Sequence, residues 1–190
     1  MGLLESIERT VFLGEEFLTW LWYRAETEPR IELGQLGAVA VELGDALALR
    51  GSEDQDAIQV SLKGERAGAS QEARAALREG KKLWKCKIRF KQGDEVVWPC
   101  SLNADSLAIG GLRPPVPKGV PMPDGLIMRA EKLEEFVQIY FRLFEVFLEQ
   151  RLNEKHWKKL ETALRKWVMA ESACGEPACP EPVEGVESAE

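Results

Sequence analysis

The sequence predicts an α+β domain: an antiparallel sheet of about five strands with an N-terminal aromatic helix, a short inserted helix and a C-terminal helical pair. Three observations predict it. Short apolar runs punctuated by glycine fill residues 31–112 and read as strands without a βαβ rhythm. The stretches around Phe17–Tyr23 and across 126–171 are apolar over lengths and at spacings that suit helices. Gly110–Gly125, with five prolines and four glycines, fits neither helix nor central strand and separates the sheet region from the later helices. At 190 residues and 45% hydrophobic content the chain can bury one substantial core, so 1–171 is expected to be a single domain.

In the first helix only Thr19 interrupts the apolar run from Phe17 to Tyr23, leaving no solvent face for two turns. Glu15 and Glu16 after Gly14 mark its start, where the helix dipole favours negative charge, and Glu28-Pro29 marks its end. Ile31–Leu33, Ala38–Leu43, Ala46–Arg50 and Ile58–Lys63 follow as strands, with Gly44-Asp45 read as a tight hairpin turn. Ser70 caps the inserted helix and Gly80 ends it.

The clearest strand runs from Lys81 to Lys91. Lys82, Trp84, Cys86, Ile88 and Phe90 share one face; Lys81, Leu83, Lys85, Lys87, Arg89 and Lys91 share the other. Matching its apolar face to that of Val96, Trp98, Cys100 and Leu102 pairs Phe90 with Val96, Ile88 with Trp98 and Cys86 with Cys100 around a loop of Gln92-Gly93-Asp94. Lys91 then stands opposite Glu95, and the two cysteines are packing thiols, not a bridge. Pro99 cannot donate to a ladder, which puts its strand at an edge or a bulge.

From Phe136 to Leu148 the polar positions Gln138, Arg142, Glu145 and Glu149 make one narrow stripe on an otherwise apolar helix. The final helix, about Glu154 to Glu171, is amphipathic with a basic outer side. Residues 172–190 turn to Glu, Pro, Ala and Gly and are expected to form a disordered acidic tail.

The aromatic run Phe12–Glu26, the segment Ser70–Lys81 and the stretch Ser101–Leu107 together resemble the recombination-associated protein RdgC family. The resemblance covers about Phe12 to Leu112 and is to the C-terminal part of the longer members; a counterpart of their N-terminal half is absent. It implies a DNA-binding protein that forms ring-shaped dimers around duplex DNA and restrains the recombinase RecA. The expected partners are therefore double-stranded DNA, a second copy or a longer RdgC-like relative, and a recombinase, with a nucleoid location in the cytoplasm.

The formal charge of −7 argues against nucleic acid only until its distribution is read. The five Glu of 172–190 account for much of it; without them 25 basic residues face 27 acidic ones, a balance of −2. Alternate side chains of a strand share a face at a spacing of about 6.6 Å. Lys81, Lys85, Lys87, Arg89 and Lys91 are therefore the candidate DNA contacts, a row able to follow phosphates without reading sequence. The same row would also serve as the solvated face of a half-buried sheet.

Phe17, Trp20, Trp22, Phe136, Tyr140, Phe144 and Phe147 are the candidate interface residues, between the two long helices, between subunits, or both. An interaction or oligomerisation module that does not bind DNA is thus the alternative function. Nothing in the sequence marks an enzyme: the single histidine, His156, has no nucleophile motif beside it, and no phosphate loop or dinucleotide fingerprint is present. No cofactor is expected. The spacing of Cys174 and Cys179, without a His or a second Cys pair nearby, does not make a zinc site, so no metal is expected. Met1–Ser6 fits the crude myristoylation pattern, a short motif that matches by chance, and Glu5 and Glu8 without a basic lead do not suit a secretory signal. The longest apolar tract falls short of the ~20 residues of a membrane span, so no membrane partner is expected.

Overall fold

A computed structural model describes residues 3–51, 59–64, 67–93, 96–115, 119 and 121–170, with side chains from residue 13 onward. The expected acidic tail, Cys174, Cys179 and Met1-Gly2 lie outside the described residues. The fold is α+β as the sequence predicts, with six antiparallel strands and four α-helices among the described residues.

Helix α1 spans Leu3–Thr27. It ends before Pro29 as expected, but it begins well before Gly14, which lies inside it. Packing explains the glycine. A Cβ at Gly14 would stand 2.0 Å from the carbonyl oxygen of Ala104, so the helix can approach the sheet only with hydrogen there. Gly14→Ala is expected to lower stability by about 2 kcal/mol, overpacking outweighing the helix propensity of alanine. Chemical denaturation checks this; a stabilised variant would refute it.

Strands β1 (Arg30–Glu32), β2 (Ala38–Arg50), β3 (Val60–Lys63), β4 (Lys82–Gln92), β5 (Val96–Asn103) and β6 (Ile109–Gly110) form one sheet. Along one edge of β2, β1 pairs with Ala38–Ala40 and β3 with Ala46–Leu49, while β4 takes the opposite edge and leads on to β5 and β6. Gly44-Asp45 is not the hairpin turn expected. β2 runs straight through it with an irregularity between Leu43 and Leu47, and a Cβ at Gly44 would lie 2.8 Å from that of Lys87. Here the glycine serves a close approach of two strands.

The β4–β5 register also differs from the expected one, by two residues. Phe90 faces Trp98, Ile88 faces Cys100, Cys86 faces Leu102 and Lys91 faces Val97. A shift of two returns every side chain to the same face, so the apolar pattern cannot distinguish the alternatives. The observed pairing places Phe90 and Trp98 side by side under Phe136, at ring distances of 5.7 and 6.1 Å. It also puts Gly93, with φ +63, in the connecting loop. Pro99 meets its expectation: β6 covers only Ser101 and Leu102, and the Pro99 carbonyl accepts from the Arg113 N–H.

Helix α2 (Gln71–Arg78) starts at Ser70, whose hydroxyl accepts from the Ala73 N–H, and stops at Gly80 in the left-handed region with φ +84. The N–H of Lys81 bonds to the Ala76 carbonyl and that of Gly80 to the Leu77 carbonyl, a Schellman closure. Helix α3 (Asp124–Leu152) follows the Pro/Gly segment, and α4 (Glu154–Met169) is capped by the Asn153 side chain accepting from the His156 N–H. Among the described residues no helix is long and apolar enough to cross a membrane.

The core lies between one face of the sheet and the helices. Val39, Val41, Leu47, Leu49, Leu83, Ile88, Phe90 and Trp98 face Phe17, Leu21, Phe136, Ile139, Leu143 and Phe147. Cys86 and Cys100 are buried free thiols, as expected. Burial pushes Cys100 up to about 12 and Cys86 further, with the neighbouring sulfur contributing.

Candidate nucleic-acid interface

Because every helix packs on one side, the other face of the sheet carries no helix among the described residues. The alternation of β4 decides what it presents. Lys85, Lys87 and Arg89 are exposed and Lys91 is half-buried on this face, as the sequence predicts. The phase breaks further upstream. Ala48 pairs with Lys85 but Leu49 pairs with Leu83, so Trp84 is an extra residue in a bulge. Leu83 therefore points into the core, Lys82 is exposed and Trp84 is half-buried beside Lys85 on the open face, the reverse of the expected faces for these three residues. Lys81 is drawn aside to Glu79 beyond the end of α2.

The row is less positive than its sequence suggests, because β2 places carboxylates beside it. Lys91 bonds to Glu42 at 2.5 Å and Lys87 to Asp45 at 3.1 Å. The hydrogen bond from Lys87 and its charge hold the Asp45 carboxyl below its ordinary range. Lys85 and Arg89 have no carboxylate partner among the described residues. Nor does Lys63, which β3 adds to the same face opposite Ala46. Sequence reading missed Lys63. Its signal was the alternation Ser61, Lys63 in a short strand whose register was not yet known.

On α1, Glu15 is buried, and it accepts from Arg50 Nε and Nη2 at 3.1 and 3.0 Å and lies 3.4 Å from Lys82 Nζ. Arg50 also pairs with Asp105 and lies over the Trp84 ring, 5.6 Å from its centroid. These contacts tie α1 to the margin of the basic face.

The seven aromatic residues named as interface candidates meet inside one chain. Phe17 touches Trp20, Tyr140, Phe144 and Phe147 at ring distances between 5.0 and 6.1 Å. Trp22 packs edge-on to Trp167 at 5.3 Å, and Phe136 joins β4, β5 and Tyr140. All but Phe144 are buried. The apolar residues that α3 leaves outward are others: besides Leu126, Ile127 and Leu152 near its ends, Leu133, Val137 and Phe141 stand one helical turn apart, with Phe141 62% exposed. The polar stripe is as expected, Arg142 bridging Glu145 and Glu149 at 3.0 Å each.

His156 sits exposed in the first turn of α4. Among the described residues no three His, Cys, Asp or Glu side chains are grouped to hold a metal ion. No protein-family model matches the chain, and no curated protein is significantly similar to it.

Proposed function

We propose that this chain is a non-enzymatic nucleic-acid-binding protein that holds duplex DNA, without sequence preference, on the helix-free face of its sheet. One observation carries the reading: Lys63, from β3, and Lys85 and Arg89, from β4 on the other side of β2, stand on that face without forming an ion pair to a carboxylate among the described residues. Phosphates supply the missing anions, and because they occur at every step of a duplex such contacts position without reading bases. Lys87 and Lys91 contribute less, since a phosphate must first displace Asp45 or Glu42. The resemblance to the C-terminal part of the RdgC family supports the same reading and extends it to a role in recombination or replication, as a homodimer or beside a longer relative and a recombinase.

The double variant Lys85→Glu/Arg89→Glu is expected to weaken binding to a labelled duplex at low salt by at least about tenfold, since each lost phosphate contact removes counterion release. The control Lys158→Glu/Lys159→Glu, on α4, leaves it unchanged. Equal affinity of both variants and the native chain would overturn the reading.

The stripe of Leu133, Val137 and Phe141 favours a second reading, a protein-interaction module, because scattered single apolar residues are ordinary on a surface but a contiguous row on one helix face is less so. The two readings separate on salt: apolar association does not weaken as salt rises.

A further inference from the structure

The open sheet face is indented where β2, β3 and β4 meet. At the β4 bulge Trp84 and Lys85 together oppose Ala48, and with Ala46, Ser61, Lys63, Lys87 and Ser101 they line a depression of about 400 Å³. That is within the size range of small-ligand sites. Its floor is apolar, with Ala46 and Ala48 too small to fill the space beside the indole. Lysines stand around it, and among the described residues none that lines it is acidic. Asp45 is held by Lys87, one of the lining lysines. Arg50, itself anchored by Glu15 and Asp105, lies over Trp84 and fixes the ring.

A ligand that matches this site has a planar, largely apolar body with negative charge on either side of it. A nucleotide unit has that form. Beyond the depression β4 continues the cations through Arg89 and Lys91, which a free mononucleotide would leave unused and a continuing strand would occupy.

We infer that the depression accepts one unpaired base of a nucleic-acid strand, the base resting on Ala46, Ala48 and Trp84 and the flanking phosphates on Lys63 and Lys85. The inference rests on the nucleic-acid reading above and adds a subsite to it. In an intact duplex the bases are stacked inside and only phosphates reach the protein. A single strand, a gap or a frayed end offers both groups, and base contacts of this kind tolerate any sequence because every base has an apolar face.

The test compares a labelled single-stranded oligomer with an abasic oligomer of equal length and charge, and with the duplex, on the native protein at one low salt concentration. The base-bearing strand is expected to bind about tenfold more tightly than the abasic one. Trp84→Leu is expected to remove that difference while leaving the abasic strand and the duplex bound as before. Equal affinity of the two strands for the native protein would overturn the subsite and leave the phosphate reading standing. Absence of binding to either strand and to the duplex would overturn both. The comparison of strands needs no variant, so it decides even if Trp84→Leu folds poorly.

Discussion

Phe17→Ala is expected to lower the stability of the fold by about 3–5 kcal/mol. Phe17 is fully buried at the centre of the contact between α1 and α3, where four other rings close around it. Truncation loses the transfer free energy of the ring and leaves a cavity whose walls are held by both helices and the sheet, so collapse is limited. Urea denaturation with an unchanged slope and a lower midpoint is the expected record. Phe141→Ala, at an exposed position of α3, is the contrasting variant and should shift the midpoint little. A loss at Phe17 no larger than at Phe141 would contradict the packing described.

Glu26→Ala is expected to cost about 3 kcal/mol, because it leaves a buried guanidinium without its counter-charge. Glu26 joins three helices. One carboxylate oxygen accepts from Trp22 Nε1 at 2.6 Å; the other accepts from Trp167 Nε1 at 3.1 Å and from Arg74. Arg74 is 7% exposed, stacks on the Trp167 ring 4.0 Å from its centroid, and donates to the Trp167 carbonyl. Removing the carboxylate orphans two indole donors and a charge together, which no surface ion pair can imitate. Glu28→Ala, at a carboxylate that is itself 72% exposed in its pair with Arg24, is expected to change stability by less than about 1 kcal/mol. Thermal or chemical unfolding of the two variants side by side measures the difference; similar losses would mean that the Glu26 cluster is not coupled as drawn.

The Glu26 cluster also shows where sequence reading stops. Local signals were legible: the Ser70 cap, the Gly80 stop, the Pro29 terminus and the alternation of Lys85 to Phe90 each follow from one residue and its neighbours. Long-range placement was not. Arg74 reads as an ordinary basic residue among alanines, and nothing within α2 says that a tryptophan more than ninety positions later will stack on it. The β4–β5 register failed for a related reason, since a two-residue slip satisfies the same apolar pattern and only the fit of Phe136 over Phe90 and Trp98 distinguishes it. Gly14 and Gly44 were read as punctuation, the commoner use of glycine, whereas both permit a close approach that depends on a distant partner.

The candidate site was half legible. Its central row follows from the period of two, but its effective charge does not, because Glu42 and Asp45 arrive from a strand whose pairing the sequence leaves open. The same pairing brings Lys63 to the face. The bulge at Trp84, beside the depression at Lys85, is one extra residue of β4 against β2, visible only in the pairing of the two strands.

The measurement that tests the central claim most directly is the affinity of the native protein for a labelled duplex of arbitrary sequence across a series of salt concentrations. Three cations outside direct ion pairs, contacting phosphate, predict a straight log–log plot with a slope of about −2 to −3, independent of the sequence used. Absence of binding at the lowest salt, or an affinity that does not fall as salt rises, would contradict the assignment of this sheet face to nucleic acid.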